Sequence, residues 1–127
     1  MTNTTKTPQE IRDYLSNFVG TQHYYLHPFG LRMTDGVRAA ADLMECWWLI
    51  DIIASYFDKT EERHFTVWRL VKQSNGTASV TAYNDWDEDD HKAFPPMIQQ
   101  HIRFTDFPLD EFVMWQESGV LILPSEH

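Results

Sequence analysis

Apolar residues near the start of the chain recur at the spacing of one helix face. Ile11, Leu15 and Phe18 repeat every three or four residues, as the buried stripe of an amphipathic helix does. The TPQE stretch at 7–10 offers a threonine cap, a proline for the first helical position and a glutamate that can complete a capping box. Gly20 is suited to end the element. The pattern therefore predicts a short N-terminal helix.

A longer helical pattern occupies the middle of the chain. Its apolar positions are Val37, Ala40, Ala41, Met44, Trp48, Ile52 and Tyr56. Alanine, leucine and methionine between them favour helix, and Thr34-Asp35-Gly36 can start it. The spacing predicts one long helix over residues 36–57. Trp47 and Trp48 are adjacent and cannot face the same direction, which leaves a dimer interface and broad burial under a sheet as alternatives.

β-prone segments surround the long helix and are separated by turn signals. They lie at residues 21–27, 31–34, 64–73, 77–84, 99–107, 113–117 and 120–123. Asn75-Gly76 and Ser118-Gly119 predict tight hairpins, and PLDEF at 108–112 predicts one helical turn. The elements together predict a single α+β domain over residues 1–127, with residues 1–6 flexible. In this fold an antiparallel sheet of about four to six strands packs on one long helix, beside the short N-terminal helix.

Charge is concentrated in the last third of the chain and narrows the classes of partner. The net charge is −9, and residues 85–127 alone carry ten acids against Lys92 and Arg103, which gives −8. This negative field disfavours direct binding to nucleic acid or to an anionic membrane, because phosphate contacts need basic side chains. A host protein with a basic surface is a better partner, and solubility alone is the alternative.

The apolar segments and the cysteine content bear on where the protein acts. The beginning of the chain has no apolar signal region, and the longest apolar run, CWWLIDIIA at 46–54, is interrupted by Asp51. That run is far shorter than a membrane span of about 20 residues. Cys46 is the only cysteine, which excludes an intramolecular disulfide. These features predict a cytoplasmic protein.

The most acidic stretch is DWDEDDH at 85–91. It lacks the glycine and glutamate that a calcium loop needs at its sixth and twelfth positions, so a solvated acidic bend is favoured over a metal site. The tryptophan within it would either fold into the core or be exposed as an anchor for a partner. The candidate partner contacts are Asp85, Trp86, Asp87, Glu88, Asp89 and Asp90.

Candidate catalytic chemistry is sparse. The sequence contains no nucleophile elbow, phosphate loop, dinucleotide fingerprint or HExxH motif, and we expect neither a metal nor a cofactor. One constellation could line a pocket, and its members are His23, Tyr24, Tyr25, Asp35 and Asp106. Its two carboxylates could form an acid–base pair if they meet in space, although helix capping and turn formation are the favoured roles. The sequence thus favours a non-enzymatic protein.

Five phrases of the chain, taken together, resemble a known family. FVGTQHYY, TDGV, WWLIDII, FTDFPL and GVLILPSEH are similar to segments of a family of small proteins of bacteria, plasmids and phages, known as a domain of unknown function. The resemblance spans residues 10–127, leaves the acidic stretch at 85–90 unmatched and brings no catalytic residues. It implies a mobile-element setting, in which small acidic proteins often inhibit host defence, as anti-CRISPR proteins do.

Three classes of function therefore remain open. The first is an acidic protein-binding module that inhibits a host defence protein by occupying its basic or nucleic-acid-binding surface. The second is a small-ligand binder or enzyme with a pocket near Asp35, Asp106 and His23. The third is a structural protein that self-associates as a homodimer.

Overall fold

The computed structural model describes residues 6–83 and 96–127, and the acidic stretch 85–90 with its proposed partner contacts lies outside them. Within the described residues, the strands are Tyr24–Leu26 (β1), Arg32–Thr34 (β2), Phe65–Lys72 (β3), Ala78–Tyr83 (β4), Ile98–Ile102 (β5), Glu111–Glu117 (β6) and Val120–Ile122 (β7). They form one sheet with the spatial order β1-β2-β7-β6-β3-β4-β5. The helices are Pro8–Leu15 (α1), Asp35–Leu43 (α2), Trp47–Ser55 (α3) and Phe57–Thr60 (α4), and a short 3₁₀ turn follows at Pro124–Glu126.

The N-terminal helix is confirmed, together with the cap that predicts it, but it ends at Leu15 with Ser16 as its C-cap and not at Gly20. The Thr7 hydroxyl accepts a hydrogen bond from the Glu10 backbone N–H at 3.2 Å. The Glu10 carboxylate in turn accepts one from the Thr7 backbone N–H at 3.1 Å, which completes the capping box. Ile11 and Leu15 are the residues of α1 that reach the core.

The prediction of one long helix over residues 36–57 is wrong, because the chain leaves the helix after Leu43. Glu45 adopts a left-handed backbone with φ of 49°. The Cys46 N–H donates to the Ala41 carbonyl at 2.9 Å and the Glu45 N–H to the Asp42 carbonyl at 3.4 Å, which is the Schellman pattern of a helix end. Glycine usually occupies that left-handed position, so a glutamate there gives the sequence no visible stop signal.

The predicted antiparallel sheet of four to six strands is also wrong, since the described residues alone contribute seven strands and the sheet is mixed. β2 and β7 run parallel, with Arg32 opposite Val120 and Met33 opposite Leu121. These partners are almost ninety positions apart in the chain, and no local pattern announces such a pairing. PLDEF forms no helical turn, because β6 already begins at Glu111.

Both predicted hairpins are present. β3 pairs with β4 across the Asn75-Gly76 turn, and β6 pairs with β7 across Ser118-Gly119. Ser118 and Gly119 have φ of 50° and 84°, the two positive values that a type I′ turn requires. These turns fix the register of the central strands and therefore which side chains enter the core.

The core lies between the helices and one face of the sheet. Alternate strand residues, such as Trp68, Leu70 and Met114, join one buried cluster with the helical residues Leu49 and Ile53. Burial along β6 alternates strictly, as expected of a strand with one face on the core. In the part of the chain that the structure describes, no helix is both long and apolar enough to cross a membrane.

Candidate functional site

Several side-chain hydrogen bonds from distant parts of the chain meet at the N-terminus of α2, and we call Thr21, Thr34, Asp35, Gly36 and Glu126 the α2 junction. The Thr34 hydroxyl accepts from the Val37 N–H at 3.3 Å and donates to Glu126 Oε1 at 2.6 Å. Glu126 Oε2 accepts from the Gly36 N–H at 3.2 Å. A carboxylate is favourable there because the first N–H groups of a helix carry partial positive charge. The 3₁₀ turn is thus fastened to the start of α2.

Asp35 fastens the segment before β1 to the same place. Its Oδ2 accepts from the Gln22 N–H and its Oδ1 from the Tyr25 hydroxyl, each at 3.0 Å. Its own N–H donates to the Thr21 hydroxyl at 2.9 Å. The Gln22 N–H first, and the Tyr25 hydroxyl after it, hold the pKa of Asp35 below its ordinary value, although burial opposes them. Asp35 is therefore an ionised structural acceptor.

The structure brings only part of the predicted pocket together. His23 Nδ1 lies 3.8 Å from Asp35 Oδ1, and Tyr25 bonds the same carboxylate. Tyr24 instead lines a separate cavity of about 330 Å³ with Glu117, Val120, Ile122, Glu126 and His127. The side chains of Tyr24 and Tyr25 lie on opposite faces of the sheet, because successive strand residues point in opposite directions.

Asp106 does not join Asp35. The preceding residue, Thr105, donates its N–H to the Gly76 carbonyl at 2.8 Å, which places this segment at the β3–β4 turn. β7 and β6 lie between β2 and β3 in the sheet, so the β3–β4 turn beside this segment is three strand spacings, roughly 14 Å, from β2, the strand that leads into Asp35. An acid–base pair of these two carboxylates is thus not formed.

Among the described residues, neither the cysteine nor the potential metal ligands are arranged for catalysis or metal binding. Burial raises the pKa of the Cys46 thiol to about 12, so it carries almost no thiolate near neutral pH. Within residues 6–83 and 96–127, no three histidine, cysteine or acidic side chains are grouped so that they could hold a metal ion.

A different region, beside the edge strand β1, combines exposed apolar side chains with a groove. Tyr24, Leu26 and Phe29 are 60%, 66% and 61% exposed, which is unusual for large apolar residues on a strand and its turn. The groove beside them encloses about 710 Å³. Its lining comprises Tyr25, Leu26, His27, Pro28, Phe29, Met33, Arg38, Trp47 and Asp51. We call this region the β1 edge.

The charged residues of the β1 edge are held in place by specific contacts. His27 Nδ1 accepts from the Phe29 N–H at 3.1 Å, so the ring proton lies on Nε2, which donates to Asp51 Oδ1 at 2.9 Å. The Arg38 guanidinium lies over the Tyr25 ring, 4.5 Å from its centroid. These contacts fix the turn that presents Phe29 and one wall of the groove.

Sequence reasoning missed Leu26 and Phe29 as functional candidates, and it named Trp47 only with Trp48, as a pair of which one could lie at a dimer interface. Trp47 is 38% exposed at the start of α3, and its indole N–H donates to Asp42 at 2.8 Å. An alternation of apolar residues shows that a strand exists, but it does not show that the strand lies at an edge. Only the strand order, with β1 first, reveals the open position.

The phrases that mark the sequence meet in two places in the fold. FVGTQHYY, TDGV and LPSEH converge on the α2 junction, where the Ser125 hydroxyl also donates to the Phe18 carbonyl at 2.7 Å. WWLIDII and FTDFPL meet in the core, where Trp48 and Phe107 stack edge to face with centroids 6.2 Å apart. The residues of these phrases therefore form contacts that stabilise the fold.

Comparison with known proteins places the chain in one family. No curated protein and no solved structure gives a significant match to it. The model of a family of unknown function, DUF6876, matches residues 9–127. This match covers nearly the whole sequence and includes every described strand and most of α1. The chain belongs to the family of unknown function DUF6876.

Proposed function

We propose that the protein is a small acidic protein-binding module of a mobile genetic element. Its partner is a host defence protein, and the module inhibits it by occupying a basic or nucleic-acid-binding surface. The observation that carries the proposal is the charge asymmetry, because residues 85–127 hold −8 of the net −9. Charge of one sign over a short segment steers an oppositely charged partner and selects against nucleic acid.

The acids of residues 96–127 that already have partners within the chain are weaker candidates for binding a basic partner. Arg69 forms an ion pair with Glu111, and His127 Nε2 lies 3.0 Å from Glu117. Glu126 is committed to the α2 junction. These three carboxylates have internal partners, so the proposal assigns the attraction of a basic partner chiefly to the acids at 85–90.

The test compares two variants with the same change of charge. In the first, Asp87→Asn, Glu88→Gln, Asp89→Asn and Asp90→Asn remove four acids of the proposed docking segment. In the matched control, Asp13→Asn, Asp58→Asn, Glu61→Gln and Glu62→Gln remove four acids that the structure shows exposed on or beside α1 and α4. Proteins captured from host lysate by immobilised wild type are identified, and association rates are then measured with the purified partner at several salt concentrations.

The proposal expects slower association and a flatter salt dependence for the first variant alone. Exposed charges are screened over about 10 Å at 0.1 M salt, so an interaction steered by them weakens as salt rises. Equal behaviour of the two variants would assign the acids to solubility. Salt-independent association of the wild type would contradict the electrostatic role itself.

A further inference from the structure

The hydrogen bonding of β1 determines which of its backbone groups face outward. β1 is antiparallel to β2, with Tyr24 opposite Thr34, Tyr25 opposite Met33 and Leu26 opposite Arg32. The His27 N–H donates to the Leu31 carbonyl at 2.8 Å in the same register. Hydrogen-bonded pairs alternate with non-bonded pairs in an antiparallel ladder. Tyr25 therefore bonds β2, whereas the N–H and C=O of Tyr24 and Leu26 point away from it.

These outward groups form a pattern that is symmetric about Tyr25. In an antiparallel pair of two β1 strands, Tyr24 of one copy stands opposite Leu26 of the other, and the reverse pair follows by symmetry. Each of these two pairs exchanges an N–H···O=C bond in both directions, which gives four hydrogen bonds around a two-fold axis at Tyr25. The described chain offers no other strand on this side of β1.

The exposed side chains follow the same symmetry. Tyr24 and Leu26 lie on one face of the strand, so each would pack beside the other residue type of the second copy. Aromatic–aliphatic pairs directly across two strands stabilise a sheet. The groove beside the strand offers further apolar surface, from the exposed Phe29 and from Trp47, which is 38% exposed. A basic or acidic partner strand would leave this apolar surface without complementary contacts.

We propose that β1 is a homodimer interface, in which two copies pair their β1 strands antiparallel about Tyr25 and join their sheets into one. The proposal does not depend on the acidic segment or on its partner. It also accounts for the exposure of three large apolar side chains on one edge, a feature that otherwise invites nonspecific strand pairing.

Salt separates this interface from the binding of a basic partner. Each copy carries −9, so two copies repel one another at long range, and added salt screens that repulsion. Dimerisation through an apolar edge should therefore strengthen as salt rises, while binding to a basic partner should weaken. Failure of one proposal leaves the other untouched.

The first experiment measures the mass of the whole chain by sedimentation over a hundredfold range of concentration at low and high salt. The test variant is Leu26→Lys, and Val19→Lys is its control, because Val19 is 76% exposed outside the strands and gives the same change of charge. The expected result is a dimer for wild type and Val19→Lys, at least tenfold weaker for Leu26→Lys. A wild type that stays monomeric, or two variants that behave alike, would overturn the proposal.

The second experiment tests the register by disulfide formation. Tyr25→Cys would place two thiols opposite each other in a non-bonded pair, with Cα atoms about 4.5 Å apart, within the range of a disulfide. Tyr24→Cys would place them about 8 Å apart, beyond that range. Native Cys46 is buried and does not compete. A cross-linked dimer is expected for the first variant only, after circular dichroism shows that both are folded. Equal cross-linking, or none in either folded variant, would exclude the proposed axis.

Discussion

The α2 junction and the β1 edge are neighbouring regions of the fold, yet their polar groups differ in where they find hydrogen-bond partners. At the junction, Glu126 accepts from the Thr34 hydroxyl and the Gly36 N–H, and Asp35 accepts from the Gln22 N–H and the Tyr25 hydroxyl. At the edge, the N–H and C=O of Tyr24 and Leu26 face outward beside exposed apolar side chains. The polar groups of the junction are hydrogen-bonded within the chain. The outward N–H and C=O groups of the edge are the ones that the proposed second copy would bond.

The residues that stand out in the sequence are therefore not the residues of the proposed interface. The motifs with recognisable acids and threonines stabilise the fold. A buried or half-buried carboxylate contributes most to stability when the N–H groups of a helix N-terminus are its hydrogen-bond donors. The binding surface instead consists of ordinary strand residues. The following predictions test whether the two regions differ as described.

Among the substitutions that compare the two regions, the largest effect is expected at the junction. Glu126→Ala removes the acceptor for the Thr34 hydroxyl and for the Gly36 and Leu123 N–H groups, so unfolding free energy in urea should fall by about 2 kcal/mol. Glu117→Ala is the control, since its carboxylate pairs with His127 at the surface and should contribute less than about 1 kcal/mol. Equal losses would show that Glu126 has no special role.

Gly36→Ala tests the contact between Gly36 and Glu126, because its effect on the unfolding free energy should change sign when Glu126 is removed. A Cβ at Gly36 would lie 2.5 Å from Glu126 Oε1, so the carboxylate must move and its bonds are lost. In the wild type the substitution should destabilise the fold by about 1 kcal/mol. In the Glu126→Ala background it should stabilise by up to about 1 kcal/mol, because alanine favours helix over glycine. The same sign in both backgrounds would contradict the contact.

Asp35→Asn should produce a smaller loss that depends on pH. The pKa of Asp35 is lowered in the folded state, so its contribution is present above the unfolded pKa of about 4 and is lost as pH falls through the folded pKa. The difference in unfolding free energy between wild type and variant should therefore be largest near pH 7 and shrink towards pH 3. A difference that is constant over this range would exclude the ionised role of Asp35.

The smallest effect is expected at the edge. Leu26→Ser, measured at protein concentrations low enough for monomer, should change unfolding free energy by no more than about 0.5 kcal/mol. Leu31→Ala, in the adjoining turn but fully buried, should cost about 2–5 kcal/mol. A large loss in the Leu26 variant would mean that the edge supports the fold of the monomer.

Local signals in the sequence predicted local structure, and they failed where distant residues decide. The capping box of α1 and the Asn75-Gly76 and Ser118-Gly119 turns depend on neighbours in the chain, and each forms as expected. The parallel pairing of β2 with β7 joins residues almost ninety positions apart. The break at Glu45 depends on a left-handed backbone that glutamate rarely adopts, so propensity favoured a continuous helix.

The candidate sites show the same limit. The favoured interpretation gave Asp35 a capping or turn role, but Thr34 caps α2, and the Asp35 carboxylate accepts from the Gln22 N–H and the Tyr25 hydroxyl instead. The separation of Asp106 from Asp35 depends on the strand order, which the sequence does not display. The exposure of Leu26 depends on β1 being an edge, for the same reason.

Amide hydrogen exchange, resolved residue by residue, tests the central contrast most directly. The Gly36 and Gln22 amides, which donate to Glu126 and Asp35, should exchange slowly at every protein concentration. The Tyr24 and Leu26 amides should exchange rapidly in dilute solution and become protected as concentration rises, while Tyr25 and His27 stay protected throughout. Rapid exchange at Gly36, or concentration-independent exchange at Tyr24 and Leu26, would contradict the account.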